Sequence, residues 1–253
     1  MQALESTPTE ARGHFERGFS KSEECKWAEA IDHYTKALQI DPRLAPAYNE
    51  RGVARVEIGD LTGAITDSNQ ALVVNPRYAM AFLNRGYVRA RQSEWTEAMT
   101  DFTRASELDP SWNQPYIFRG LVRGHQSDLT GAEADFTKAL GLNSRDSSTY
   151  HDRALVRARH RDWARAVADL TTSMELNPGH STTNLDWESA VMDLNKTLKL
   201  HPRDAYLYYS RALALWHLGD KEGARTDLKK AVAYEPELGQ RVRIQRLLWE
   251  WRK

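Results

Sequence analysis

The sequence holds one cysteine, Cys25, in 253 residues, so no internal disulfide can staple it and packing must hold the fold together. A reducing compartment such as the cytoplasm is the expectation, although a plain periplasmic domain would read the same way. Net charge is also missing: 35 Lys and Arg balance 35 Asp and Glu. Nothing global then draws the chain to nucleic acid or an anionic membrane, and any charge effect has to be local. No run of about 18 apolar residues occurs, so no membrane span is expected. The opening MQALESTPTEARGHF shows no basic region followed by an apolar stretch, so no signal peptide is expected either. The eight histidines form no His-Glu-x-x-His, and neither a glycine-rich phosphate loop nor a nucleophile elbow is present. No catalytic residue, metal site or cofactor is expected, and the chain reads as a non-enzyme.

What the sequence has in abundance is itself. Aligned on its Asp-Pro and Asn-Pro pairs it divides into six units of 34 residues, 11–44, 45–78, 79–112, 113–146, 147–180 and 205–238, with a shortened copy at 181–204. Position 8 is small in each full unit (Gly18, Gly52, Gly86, Gly120, Ala154, Ala212), and position 20 is alanine throughout, from Ala30 to Ala224. Glycine inside a helix costs roughly 1 kcal/mol against alanine, so its recurrence at one register marks two helices crossing closely. Large residues surround that crossing as candidate core knobs: Tyr48, Phe82, Tyr116, Tyr150 and Tyr208 at position 4, and Tyr34, Phe102, Phe136, Leu170, Leu194 and Leu228 at position 24. Tryptophans 27, 95, 163 and 187 open the second helix after turns such as Gly59-Asp60, and prolines 42, 76, 110, 178, 202 and 236 close it.

Small residues at 8, 20 and 27, aromatics at 4 and 24 and proline at 32 resemble the tetratricopeptide repeat over almost the whole chain. The resemblance implies an all-α, right-handed α-α superhelix, a solenoid of antiparallel helix pairs. It also implies that the first helices line a concave groove that binds peptides or partner proteins.

Three segments depart from the array. Residues 1–10 read as a disordered lead. The copy at 181–204 lacks about ten residues of its first helix, which has either degenerated into an extended turn or been lost from the chain. Loss is favoured, because a vanished helix would open a costly hole against Trp216. Residues 239–253, GQRVRIQRLLWEWRK, read as an amphipathic helix capping the last repeat.

Arginine at position 7 (Arg17, Arg51, Arg85, Arg119, Arg153, Arg211) recurs with aspartate at position 23 (Asp67, Asp101, Asp135, Asp169, Asp193, Asp227), most simply as a ladder of structural ion pairs. Position 11 adds Arg55, Arg89, Arg123 and Arg157, either paired with those aspartates or presented to an anion. Position 13 adds Arg91, His125 and Arg159. By the resemblance, positions 5, 9, 12 and 13 face the groove. The candidate binding residues are therefore Asn49, Val53, Leu83, Asn84, Tyr87, Arg89, Arg91, Ile117, Leu121, Arg123, His125, His151, Leu155, Arg157, Arg159, Tyr209 and Leu213. An apolar wall edged by guanidinium groups suits an amphipathic, partly acidic partner segment. The alternatives are a nucleic acid or other polyanion on the arginine stripe, and self-assembly through terminal repeat faces. The family's carboxylate clamp for chaperone tails has no three consecutive units that match it.

Overall fold

The computed structural model describes residues 7–160, 162–177 and 187–237. Among these, every regular element is an α-helix: α1 (Thr7–Glu23), α2 (Trp27–Ile40), α3 (Ala45–Glu57), α4 (Leu61–Val74), α5 (Ala79–Arg91), α6 (Trp95–Leu108), α7 (Asn113–His125), α8 (Leu129–Leu142), α9 (Ser147–Arg159), α10 (Trp163–Leu176), α11 (Trp187–Leu200), α12 (Ala205–His217) and α13 (Lys221–Tyr234). Helix α1 begins at Thr7, inside the stretch read as a disordered lead. The expected capping helix at 239–253 and the question of residues lost near 180–186 fall outside the described residues.

Five of the helix pairs turn by the same chemistry. The residue at position 15 takes the left-handed conformation: φ is 57° at Cys25, 84° at Gly59, 63° at Ser93, 66° at Ser127 and 84° at Gly219. Its successor donates its N–H back across the turn, Asp60 to the Arg55 carbonyl, Glu94 to Arg89, Asp128 to Arg123 and Asp220 to Leu215. This closes a Schellman motif at the end of the first helix. Asp60, Asp128 and Asp220 then cap the second helix by accepting the N–H of Gly63, Gly131 and Gly223. Cys25 is thus an exposed turn residue.

The two helices of a pair run antiparallel, since Arg51 reaches Asp67 while Arg55, further along α3, reaches back to the Gly63 carbonyl. Positions 8 and 20 form the crossing, with a Cβ at Gly52 placed 3.4 Å from the Ala64 carbonyl. The alanines at position 20 are sealed, Ala30, Ala98, Ala132, Ala166, Ala190 and Ala224 all at 0% exposure. Position 4 differs from expectation. Tyr48, Phe82, Tyr116 and Tyr150 are only half-buried, and each carries the position 7 arginine of its own helix over its ring at 5.4–5.6 Å. These aromatics are platforms for guanidinium groups as much as core knobs.

The chain forms two compact units, residues 1–122 and 123–253, dividing within α7. In the first, α1 to α5 pack in chain order, with α3 also touching α1 and α5, and Phe102 of α6 anchors a cluster with Leu83 and Val122. In the second, α8 to α10 continue the pattern, and then α12 packs directly on α10 as well as on α11. Val167 of α10 shares one apolar cluster with Leu194 and Leu198 of α11 and Leu207, Tyr208 and Leu213 of α12. Trp216 is partly buried against this cluster, and Trp187 stacks on His217 with ring centroids 4.3 Å apart.

Candidate functional site

In the first unit, the helices α3, α5 and α7 leave a cavity of about 340 Å³ between them. Val53 and Val56 come from α3, Leu83, Asn84, Tyr87 and Val88 from α5, and Gln114 and Phe118 from α7. Gly52, Ala64 and Ser68 lie beneath, and Glu57 completes the lining. Tyr87 stays 38% exposed and meets Phe118 at 5.6 Å, so one wall is aromatic and accessible. The Arg91 guanidinium lies over the Tyr87 ring at 6.0 Å.

Asn84 is oriented from behind. Its Nδ2 donates to Oδ1 of Asn49 at 2.9 Å, and Asn49, which is 1% exposed, donates in turn to the Glu50 carboxylate at 3.0 Å. A buried amide needs such partners, and once they are met the Asn84 amide oxygen and its second N–H remain uncommitted among the described residues. A side-chain amide with one free acceptor and one free donor matches a peptide group.

Glu50 is half-buried, and desolvation raises its pKa above the ordinary glutamate value, against the weaker opposing effect of the Asn49 hydrogen bond. A carboxyl raised on folding binds more protons in the native state, so its contribution to stability falls as pH rises from the ordinary glutamate value through the raised one. Lowering the pH through the raised value towards the ordinary glutamate value is expected to gain stability from this group, and Glu50→Gln should flatten that slope. Urea midpoints of both proteins across this range are the measurement; parallel profiles would exclude Glu50 as the source.

The arginines of position 11 lie elsewhere. In the third repeat, Arg85 binds Asp101 bidentately, Nε to Oδ2 at 3.0 Å and Nη2 to Oδ1 at 2.6 Å, and Arg89 adds a bond to Oδ2 at 2.7 Å. Arg51, Arg55 and Asp67 repeat this arrangement, as do Arg153, Arg157 and Asp169. Arg123 reaches Asp135 at 2.8 Å. Arg89, Arg123 and Arg157, groove candidates by sequence, thus each engage a buried carboxylate one helix away.

From the second repeat on, each position 7 arginine also reaches back to a short polar side chain at position 25 of the preceding copy: Arg51 to Thr35, Arg85 to Asn69, Arg119 to Thr103, Arg153 to Thr137 and Arg211 to Asn195. One guanidinium thus staples three helices. The recurrence of Thr or Asn at position 25, from Thr35 to Asn195, is the sequence signal for this staple.

Three family models of the tetratricopeptide repeat match residues 26–59, 49–111 and 179–248. The chain is a tetratricopeptide-repeat protein. Solved structures of the same fold include PilF of Pseudomonas aeruginosa, 18% identical with a TM-score of 0.68 over 92% of this chain and 95% of that one. MamA of Desulfovibrio magneticus RS-1 is 18% identical, with a TM-score of 0.60 over 68% and 97% of the two chains. YrrB, described as a TPR protein with an unusual peptide-binding site, is 19% identical, with a TM-score of 0.54 over 80% and 92%. At these identities the likeness is one of fold. A comparison with curated proteins returns no match.

Within this tetratricopeptide array the remaining candidates separate by unit. Val53, Leu83, Asn84 and Tyr87 line the cavity, Asn49 backs it and Arg91 flanks it. Ile117 is half-buried and Leu121 exposed on α7. In the second unit, His125 is exposed, and His151 and Leu155 are half-buried. Arg159 donates to the Gly124 carbonyl at 2.7 Å, tying the end of α9 to α7. Tyr209 and Leu213 are 8% and 4% exposed and belong to the core, not to an open groove, because α12 packs straight onto α10. Gln114, Phe118, Glu57 and Ser68 line the cavity without having been singled out from the sequence. Among the described residues no helix is long and apolar enough to cross a membrane, and no three His, Cys, Asp or Glu residues are grouped to hold a metal ion.

Proposed function

We propose that the chain is a protein-interaction module that holds an amphipathic segment of a partner protein against α3, α5 and α7. The observation that carries this reading is the cavity itself, apolar, open beside an exposed tyrosine and edged by an amide with free hydrogen-bonding capacity. An apolar side chain of the segment enters the cavity and supplies affinity. Asn84 holds its main chain, and Arg91 meets an acidic neighbour and sets the register. YrrB, a TPR protein of the same fold described as having an unusual peptide-binding site, supports the class of function.

The test is affinity capture by the intact chain against a variant carrying Tyr87→Ala and Arg91→Ala, with Arg104→Ala as a surface control. The double variant should weaken recovery of its partner about tenfold or more, as expected for a central aromatic and arginine, while the control should not. Equal recovery by all three sinks the reading. Polyanion binding would need the position 11 arginines, which the aspartates already engage. A salt titration separates the two, since phosphate neutralisation predicts steep loss of affinity with ionic strength and an apolar anchor does not.

A further inference from the structure

The repeats serve as an alignment of the chain with itself, and at position 24 that alignment has one exception. Tyr34, Phe102, Phe136, Leu170, Leu194 and Leu228 occupy the position in the other copies, each no more than 2% exposed at the centre of its helix pair. The second repeat has Ser68 there, buried, with its hydroxyl donating to the Ala64 carbonyl of its own helix. Helix α4 consequently buries only Ala64, Asp67, Ser68 and Ala71, where α2 buries Tyr34 and Leu38 and α8 buries Phe136 and Leu140.

The glycines of position 8 register the same loss. A Cβ added at Gly86 would lie 2.8 Å from the Phe102 ring and at Gly18 2.7 Å from the Tyr34 ring, whereas at Gly52 nothing comes nearer than 3.4 Å. Gly52, Ala64 and Ser68 are the residues under the cavity. The cavity therefore includes the space of a missing core side chain, opened towards the groove. Space of this kind in a core forfeits the contacts that its lining would otherwise make.

We propose that an aromatic side chain of the partner segment occupies this space and completes the core of the second repeat in trans. The assignment rests on the groove reading above and specifies its anchor. Three observations select the occupant. The volume, about 340 Å³, lies at the lower end of ligand pockets and accommodates one large side chain. The wall is aromatic: Phe118 stacks on Phe102, the position 24 residue of the next repeat, at 5.6 Å and 19°, and meets Tyr87 at 5.6 Å and 59°. A ring entering over Ser68 extends that row with offset and tilted contacts. Finally, Glu57 is exposed in the lining with no ion-pair partner among the described residues, so a cationic residue beside the ring complements it.

The experiment uses the full chain and p-cresol, the tyrosine side chain as a free molecule, followed by NMR of the Val53, Leu83 and Val88 methyl groups. Saturable shifts confined to these methyls are expected. Ser68→Phe, which restores the residue type of the other repeats, should raise the melting temperature and weaken p-cresol binding about tenfold or more by filling the space. Ser68→Leu serves where phenylalanine proves too large, and the melting curve separates filling from misfolding. The inference is overturned if p-cresol leaves these methyls unshifted, or if neither filled variant weakens its binding. Equal saturation by 4-methylcyclohexanol, similar in size but without a π face, would overturn the aromatic assignment in favour of an aliphatic one. Partner capture distinguishes the two levels. If Ser68→Phe captures normally while Tyr87→Ala with Arg91→Ala does not, the groove stands and the anchor falls. If neither change alters capture, the groove reading itself fails.

Discussion

Asp101→Ala is expected to cost about 3–5 kcal/mol of stability, the range for breaking a buried ion pair from one side. Asp101 is 1% exposed and accepts three charge-assisted hydrogen bonds, two from Arg85 and one from Arg89. Removing the carboxylate leaves two guanidinium groups one helical turn apart, their side chains only 17% and 23% exposed, with no anion between them. It also frees Arg85, whose remaining bond to Asn69 fastens the third repeat to the second. In an array whose stability is a sum of repeat and neighbour terms, one aspartate then weakens both. Glu107→Ala, which removes an exposed partner of Arg104, should cost no more than about 1 kcal/mol. Urea unfolding of the two variants gives the comparison, and equal losses would mean that the rung is effectively solvated.

Alanine at two equivalent glycines should act with opposite sign. At Gly86 a Cβ would meet the Phe102 ring at 2.8 and 3.0 Å and the Asp101 Cβ at 3.1 Å. Overpacking of this kind costs about 1–3 kcal/mol, more than the ~1 kcal/mol that alanine returns as a better helix former. Gly86→Ala should therefore lower the melting temperature. At Gly52 the new Cβ sits no closer than 3.4 Å to anything, so the helix preference survives and Gly52→Ala should raise it. Shifts of the same sign at both positions would contradict the packing difference between the second and third repeats, and with it the origin of the cavity.

The Arg–Asp rungs show how far the sequence carries. Arginine at position 7 and aspartate at position 23 recur together, and their pairing followed from recurrence alone. The second arginine, at position 11, repeats just as regularly as a groove residue would. Its assignment to the same aspartate needed the distance between two helices, because periodicity records that a position matters and not which neighbour it meets. Tyr209 and Leu213 make the same point: their register matches Leu83 and Tyr87, yet α12 lies against α10 and buries them.

By itself the sequence determined the period, the helix pairs, the small-residue crossings and the family, since each of these repeats along the chain and depends on local stereochemistry. Tertiary structure alone decided where that regular pattern opens. Ser68 was readable as an exception to the large residues of position 24, but whether its neighbours would collapse around it depends on packing from three helices. Val53 of α3, Leu83 of α5 and Phe118 of α7 stand back far enough to leave a cavity, and such spacing is set by side chains distant in sequence that no local pattern encodes.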